Sequence, residues 1–558
     1  MASRMQTSEE IEEYLFDSES DEGDIYIPTS SEDSSLEDEA DIGLPGTSAI
    51  AGYNWSEDAE FSPPSFPFQG NKSGIRVITD RHSELDIFEL LFTEENICII
   101  TDETNRYFEQ VSAKNLLSPN IQDSWKQTTT TELMIFFGLC MLMGSVKKNA
   151  IRDYWSSDPK ISTPFFSDTM SRSRFELLLR MLHFVNNLTI DPANRLSKFG
   201  NILQNLKASW KSYFYPYENV CIDESLFLWK GRLSFKQYIP SKRSRFGIKL
   251  YILADCKTKF VLDIIVYTGK TTEIADTYKA FGHSGSVVLT LLEDYYGRNH
   301  KLYIDNYYTS PALIERLKIE GIQSCETVRQ NRKNLPNDRK KLVRGEVSVF
   351  HTDSMLYERW VDRREVRMLT NFLPHKMETE ASTSTSTSTT KPLTVLKYNG
   401  NMGAVDNLDT VLSYNQTPRK TVKWYKKLFF HFLDICTYNS YILYTDKHPN
   451  KYRHFSEFRL ELIQQIVDKY TPSYDYCHTK SGRPSKYENP KRLKLEKHFL
   501  SLIPPTEKSK KPYRRCHVCG NSKINPRKRV QTRYECKKCD VALCVTPCME
   551  IYHTKLVF

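Results

Sequence analysis

Between residues 218 and 328 the apolar residues fall into short runs, and two of these runs end on an aspartate. Asn219-Val220-Cys221-Ile222 leads into Asp223, and Lys301-Leu302-Tyr303-Ile304 leads into Asp305. Short runs rich in β-branched and aromatic residues read as strands. Phe246 to Asp255 and Phe260 to Thr268 read as two more, joined in a hairpin by Cys256-Lys257-Thr258-Lys259, while 287–296 and 312–318 have helical spacing and 321–328 is again strand-like. The expected order is β-β-β-α-β-α-β, a mixed α/β unit. If the strands before Asp223 and Asp305 lie side by side, both carboxylates reach one sheet edge, where they can hold a divalent cation through oxygen. Asp406 and Asp409 sit three apart in a stretch expected to become helical near Gly403, so they share a helix face and either could complete the site. Two such ions about 4 Å apart serve in-line attack on a phosphodiester, with the acids acting as ligands and not as bases. Strand-end acids also cap turns and pair with bases in ordinary folds, so spacing alone leaves both readings open.

Charge favours a polyanionic partner. The 558 residues carry 77 Lys and Arg against 69 Asp and Glu, but the first 60 hold 18 acids and one Arg, which leaves +25 on the remainder. Residues 1–80 are expected to be an acidic disordered region, too poor in apolar side chains to offset the entropy of ordering. Ser18, Ser30 and Ser34 each lie three residues before an acid, a pattern suited to an acidophilic kinase, whose product would deepen the negative charge. The longest apolar run, Leu133 to Gly144, has 12 residues; a bilayer span needs ~18 or more. No membrane association is expected, and no secretory signal opens the chain.

Around the strand-rich unit the periodicity is helical, over 81–217 and again over 411–478. The unit itself, 218–328, is interrupted by a basic, β-rich insertion at 329–393, with a meander over 347–370 and a Ser-Thr run at 382–390, before the core resumes at 394–410. A basic linker, 479–513, leads into a Cys-rich end at 514–558. Six of the 13 cysteines fall in the last 43 residues: Cys516-x2-Cys519, Cys536-x2-Cys539, then Cys544, Cys548 and finally His553. Thiolate pairs at that spacing pre-form half of a tetrahedral Zn²⁺ site, and scattered cysteines elsewhere argue against a disulfide framework. Seven ligands exceed one zinc and fall one short of two; His517 is the nearest candidate for the eighth. The partner of such a module can be DNA or, as in cross-brace modules, protein.

The wording around the acids resembles the piggyBac transposase family. The stretches that carry it are Ile151-Arg152-Asp153-Tyr154-Trp155, Ile222-Asp223-Glu224-Ser225, Gln237-Tyr238-Ile239-Pro240-Ser241-Lys242-Arg243, Arg245-Phe246-Gly247-Ile248-Lys249, Asp305-Asn306-Tyr307-Tyr308-Thr309-Ser310, Thr327-Val328-Arg329-Gln330-Asn331-Arg332, Met402-Gly403-Ala404-Val405-Asp406 and Trp424-Tyr425-Lys426-Lys427. Ala404 departs from the second glycine common there, and is small enough for a similar turn.

The resemblance implies an RNase H-like catalytic core whose metal ligands are Asp223, Asp305 and Asp406, with Asp409 as an associated acid and two Mg²⁺ or Mn²⁺ per site. The core would be flanked by helical dimerisation and DNA-binding regions and followed by a zinc-binding domain. It implies a nuclear homodimer that cuts and pastes DNA at TTAA-flanked terminal inverted repeats through hairpinned ends. The alternative is a domesticated descendant that binds DNA or chromatin without transposing. Lys236, Lys242, Arg243, Arg245 and Lys249, interleaved with aromatic residues just after Asp223, suit phosphates and unpaired bases, although a solvated strand edge is the plain alternative. Arg329, Arg332 and Lys333 form a second, looser basic patch. Trp424 is either a prop for a flipped base or a buried helix anchor.

Overall fold

The computed structural model describes residues 53–58, 60–63, 66–70, 72–240, 245–380, 389–417, 423–471, 498–505, 509–521 and 529–555. The acidic stretch to residue 52, Lys242 and Arg243, and most of the basic linker lie outside them. The chain divides into two compact units, 1–147 with 169–473, and 148–168 with 474–558.

Helices α1 (Glu84–Leu91), α2 (Glu94–Ala113), α3 (Thr130–Ser145), α4 (Arg172–Met181) and α5 (Ile202–Tyr213) precede the sheet of the larger unit. The apolar run from Leu133 to Gly144 becomes α3, buried along its whole length. A helix apolar on every side belongs inside a bundle, and none of the helices among the described residues is long and apolar enough to cross a membrane. Thr129 caps α3 by accepting from the Glu132 amide.

Nine strands then form one sheet. They are β1 (Asn219–Leu228), β2 (Gln237–Tyr238), β3 (Phe246–Asp255), β4 (Val261–Val266), β5 (Lys301–Ile304), β6 (Gln323–Thr327), β7 (Val347–His351), β8 (Leu356–Val361) and β9 (Glu365–Thr370), in the order β2-β3-β1-β5-β6-β9-β8-β7, with β4 also on β3. Helices α6 (Gly282–Leu292) and α7 (Pro311–Ile319) make the crossovers that bring β5 and β6 parallel to β1. The expected β-β-β-α-β-α-β order is present, with the two-residue β2 added. The β3–β4 turn is held by Asp255, whose carboxylate accepts from the Thr258 amide at 2.7 Å and hydroxyl at 2.8 Å. The meander in the insertion is not a separate module: β9 pairs antiparallel with β6, so β7 to β9 extend the same sheet. A short hairpin of Met377–Glu380 with Thr389–Pro392 follows it.

Helix α8 (Leu393–Asn401) then precedes the expected helix α9 (Ala404–Asn415), and α10 (Trp424–Lys447) and α11 (Phe455–Tyr470) complete the unit. A Cβ on Gly144 would lie 2.4 Å from the Asn415 carbonyl oxygen, so glycine is what lets the end of α9 sit on α3. Beside that contact Arg459 and Asp434 form an ion pair of 2.9 Å, 0% and 1% exposed, and Thr417 donates to Asp434 while Arg459 also donates to the Met141 carbonyl. This is the α/β, RNase H-like architecture with a β-rich insertion and flanking helices. In the smaller unit β10 (Leu500–Leu502), β11 (Tyr534–Cys536) and β12 (Val541–Ala542) form a three-stranded sheet beside the short helices α12 (His517–Asn521) and α13 (Cys548–Thr554).

Candidate active site and metal centres

Register brings the first two acids together. Ile222 of β1 lies opposite Ile304 of β5, and Ile304 lies opposite Glu326 of β6, all in parallel. Side chains alternate across a sheet. The next residues, Asp223, Asp305 and Thr327, therefore form a row across three neighbouring chain segments on one face, and Ser225 shares that face two positions on. Helix α9 closes over it. Ser225 Oγ donates to Asp409 Oδ1 at 2.5 Å, Val405, Leu408 and Leu412 are buried beneath the helix, and the Tyr438 hydroxyl donates to Asn407 at 3.1 Å. Asp406, one turn before Asp409, is exposed.

Asp305 is held by its own turn, accepting from the Tyr307 amide at 2.9 Å, while its carbonyl accepts from Thr309 Oγ1 at 2.9 Å. Burial pushes its carboxyl up, and the negative charge of Glu224 adds to the effect; the Tyr307 amide, Arg329 and Lys249 oppose it. Asp305 follows the end of β5, whereas Asp223 lies within β1, which runs on to Leu228 instead of ending at the acid, and a third and fourth acid arrive on one helix. They are not drawn into a closed set: among the described residues, groups of three or more ligand atoms within 4.8 Å of one another occur only in the Cys-rich module.

There the ligands separate into two sets of four. Cys516, Cys519, Cys544 and Cys548 form one, and His498, Cys536, Cys539 and His553 the other. Cys519 and Cys548 Sγ are 3.4 Å apart, His498 Nδ1 lies 3.5 Å from Cys536 Sγ and 3.4 Å from Cys539 Sγ, and His553 Nε2 lies 3.7 Å from Cys539 Sγ. Those separations suit the edges of a tetrahedron around Zn²⁺ with bonds of about 2.0–2.3 Å. His553 Nδ1 faces the Met549 carbonyl at 2.8 Å, which leaves Nε2 as the ligand atom. The residue that completes the second set is His498, not His517, which packs its ring near Tyr552 and lies 3.4 Å from Asn521. Pairing of β10 with β11 delivers His498, from the segment read as linker. The two sets alternate along the chain as in a cross-brace.

The Transposase IS4 family model matches residues 83–441, and a DDE_Tnp_1-like zinc finger model matches 496–554. Human PiggyBac transposable element-derived protein 3 is 26% identical over 449 residues, covering 76% of this chain and 70% of that protein. The human PiggyBac transposable element-derived protein 2 is 24% identical over 378 residues, covering 65% of this chain and 61% of that protein. A piggyBac transposase synaptic complex with hairpin DNA, solved by cryo-EM, shares the fold at a TM-score of 0.64 and 21% identity, over 86% of this chain and 100% of that one. The chain belongs to the piggyBac transposase family.

The basic residues singled out in this piggyBac-family sequence divide by exposure. Arg245 and Lys333 are exposed, and Lys236 donates to the Gly231 carbonyl at 3.2 Å with its ammonium 5.8 Å from the Phe246 ring centre. Tyr238 and Phe246, 53% and 46% exposed, face each other at 4.6 Å. Lys249 points inward instead: it is buried, with Nζ 4.1 Å from the Tyr307 ring centre and 4.9 Å from that of Tyr251, where its charge acts on Asp305 and not on solvent. Arg329 donates to Asn306 Oδ1 at 3.0 Å and Arg332 to the Tyr307 carbonyl at 2.7 Å, so the second patch braces the turn after Asp305. Trp424 is 6% exposed and meets Phe235 edge to face at 5.3 Å, packed as a helix anchor with no ring face presented. Ser225, Thr327 and Glu224 escaped the sequence reading; the alternation of β1 and β6 about the two acids was the available signal.

Proposed function

We propose that this chain is a cut-and-paste DNA transposase that cleaves and rejoins phosphodiesters at the ends of its own element. The reading includes terminal repeats flanked by TTAA, hairpinned ends, action as a homodimer and residence in the nucleus. It is carried by one observation, the shared face of Asp223 and Asp305 over which Asp409 latches the helix that bears Asp406. The donor set fits a hard divalent cation, Mg²⁺ or Mn²⁺: every donor is a carboxylate oxygen, and the surplus negative charge around Asp305 and Glu224 is what such an ion offsets. Asp223, Asp305 and Asp406 would hold it. When bound, a pair of these ions activates a water or a 3′-hydroxyl and stabilises the departing oxygen.

The rest is work for the chain itself. Arg329 and Arg332 keep the turn after Asp305 from moving, which fixes the direction of its carboxylate. The Ser225–Asp409 bond and the apolar underside of α9 set where Asp406 stands. Lys236, Arg245 and Lys333 offer cations to the DNA backbone, and the exposed Tyr238–Phe246 pair offers ring faces to an unpaired base. The Cys-rich module, with two Zn²⁺, would recognise terminal repeat DNA.

The test is excision in cells from a donor plasmid carrying the element's own ends flanked by TTAA, with wild type beside Asp223→Ala. Excision by wild type alone, leaving an intact TTAA, is the expected result. Absence of excision by a nuclear protein that still binds those ends would replace this reading with that of a domesticated DNA-binding protein.

A further inference from the structure

Lys249 is a buried cation placed behind the acids. In the β1–β3 register it lies opposite Leu226, and Tyr251 lies opposite Glu224, so both share the face of the sheet turned away from Asp223 and Ser225. The turn after Asp305 reaches round to the same face. Tyr308 donates its hydroxyl to Glu224 Oε2 at 3.3 Å, and the Tyr307 ring centre lies 4.1 Å from Lys249 Nζ. Tyr307 also donates its amide to Asp305 Oδ1 at 2.9 Å, so a single residue joins the ammonium to the Asp305 carboxylate.

What surrounds the ammonium is aromatic. The Tyr251 ring centre is 4.9 Å from Nζ, and the Tyr251 hydroxyl is 3.5 Å from that of Tyr307 and 3.1 Å from His283 Nε2. Burial, with the Lys249 charge, holds His283 down at about 4, so it is neutral near pH 7 and Lys249 is the cation of this cluster. Lys249 is 5% exposed, and among the described residues it makes no ion pair. A cation in that state forfeits hydration that two ring faces offset only in part. A methionine of nearly the same length would fill the space without that cost, so packing does not explain the charge. The carboxylates it can act on are those of Glu224, on its own face of the strand pair, and of Asp305, beyond Tyr307.

We infer that Lys249 belongs to the acid centre as a standing countercharge: its ammonium, seated on Tyr307, limits how tightly the carboxylates hold a divalent cation, so that the cation is held fully only once bound DNA adds its phosphate oxygens. The inference rests on the metal-site reading proposed above. A fixed positive charge repels a divalent ion, and one that acts through protein is screened little by salt. Cations of this kind are commonly shared between a few carboxylates and the phosphates of a substrate, which loose holding by the protein alone favours.

The test measures Mn²⁺ binding by electron paramagnetic resonance in full-length wild type, Lys249→Met, Glu224→Gln and Asp305→Asn. Thermal unfolding and the Mn²⁺ dependence of cleavage of a hairpin oligonucleotide duplex carrying the element's own end are followed in parallel. Expected for Lys249→Met is Mn²⁺ held about tenfold more tightly than by wild type, with half-maximal cleavage reached at a correspondingly lower Mn²⁺ concentration. Glu224→Gln removes a charge of the opposite sign and should hold Mn²⁺ more loosely. A residue that merely props the Asp305 turn would loosen binding when lost, so weakened Mn²⁺ affinity in Lys249→Met, with or without a lowered Tm, would overturn the inference. So would unchanged affinity there, or tightened affinity in Glu224→Gln. Asp305→Asn separates the two levels of argument: it should lose Mn²⁺ binding and cleavage. Its loss beside an unaffected Lys249→Met would overturn this inference alone, and Mn²⁺ held by Asp305→Asn at wild-type strength would overturn the metal-site reading and this inference with it.

Discussion

Asp434→Ala tests how firmly the acid-bearing helix is tied down. Asp434 accepts from Arg459 at 2.9 Å and from the Thr417 amide at 3.0 Å, and Thr417 lies two residues beyond α9. Burial pushes the Asp434 carboxyl up and the Arg459 guanidinium down, so each ion depends on the other for its charge. Removing one partner of a buried pair costs about 3–5 kcal/mol, because the survivor keeps its desolvation penalty. Arg459 retains the Met141 carbonyl and Thr417 as acceptors, which favours the lower half of that range. At about 2 °C per kcal/mol for a large domain, the midpoint of thermal unfolding should fall by about 6–8 °C. Replacing both ions with apolar residues of similar size, Asp434→Leu with Arg459→Met, should cost much less than the two single changes together, since no charge is stranded. Thermal and urea unfolding of the full chain compare wild type, Asp434→Ala, Asp434→Leu, Arg459→Met and the double variant. Asp434→Ala within 1 °C of wild type, or a double variant as damaged as the sum of the singles, would refute the argument.

Asp305→Asn should abolish cleavage of element ends while leaving their affinity near normal in a gel-shift assay, because the phosphate-facing cations lie elsewhere. Metal analysis of the purified protein should find two zinc ions per chain, falling to one in His498→Ala and staying at two in His517→Ala. Deletion of 496–558 should weaken binding to element ends in the same gel shift; equal affinity would point the module toward a protein partner. Glu84 gives a pH signature. Burial works against its charge, yet bonds from Lys451, Tyr452 and Gln465 hold its carboxyl down at about 2. A carboxyl lowered on folding contributes stability that is complete above its unfolded value of about 4.3 and is lost as pH falls toward 2. Glu84→Gln should therefore lower Tm at pH 7 and flatten its decline between pH 5 and pH 2.

The strand order around Asp223 and Asp305 was legible because each strand begins as a short apolar run, and a parallel pair follows from the helix between them; that β1 runs on past Asp223 to Leu228 was not, because Asp223-Glu224-Ser225 interrupts the apolar run. Helix α8 was not. Leu393-Thr-Val-Leu-Lys-Tyr-Asn-Gly-Asn401 mixes two β-branched residues with Gly and two Asn, all weak helix formers, and it is helical because Thr394 and Val395 pack on the sheet. The eighth zinc ligand was countable but not locatable: seven ligands called for one more, and only the pairing of β10 with β11, far apart in sequence, shows that it comes from before the first cysteine. Exposure was misjudged at Lys249, while of the two readings left open for Trp424 the buried anchor is the one its packing on Phe235 matches. A long cationic side chain in a basic stretch reads as surface, but the side a strand turns inward is set by its neighbours, here Tyr307.

The Ser-Thr run between the two strands of the 377–392 hairpin divides the acids. Asp223 and Asp305 lie before it, and Asp406 and Asp409 after it. The centre is thus a meeting of two stretches of chain, with low-complexity sequence between them. Cut there, the chain becomes two polypeptides, neither with a complete set of ligands, and what would bring them back together is the packing of α8 and α9 on the sheet. Such a divided protein would lack the proposed activity until its halves are made in the same cell, so the fold carries a natural point at which to place that activity under two independent controls.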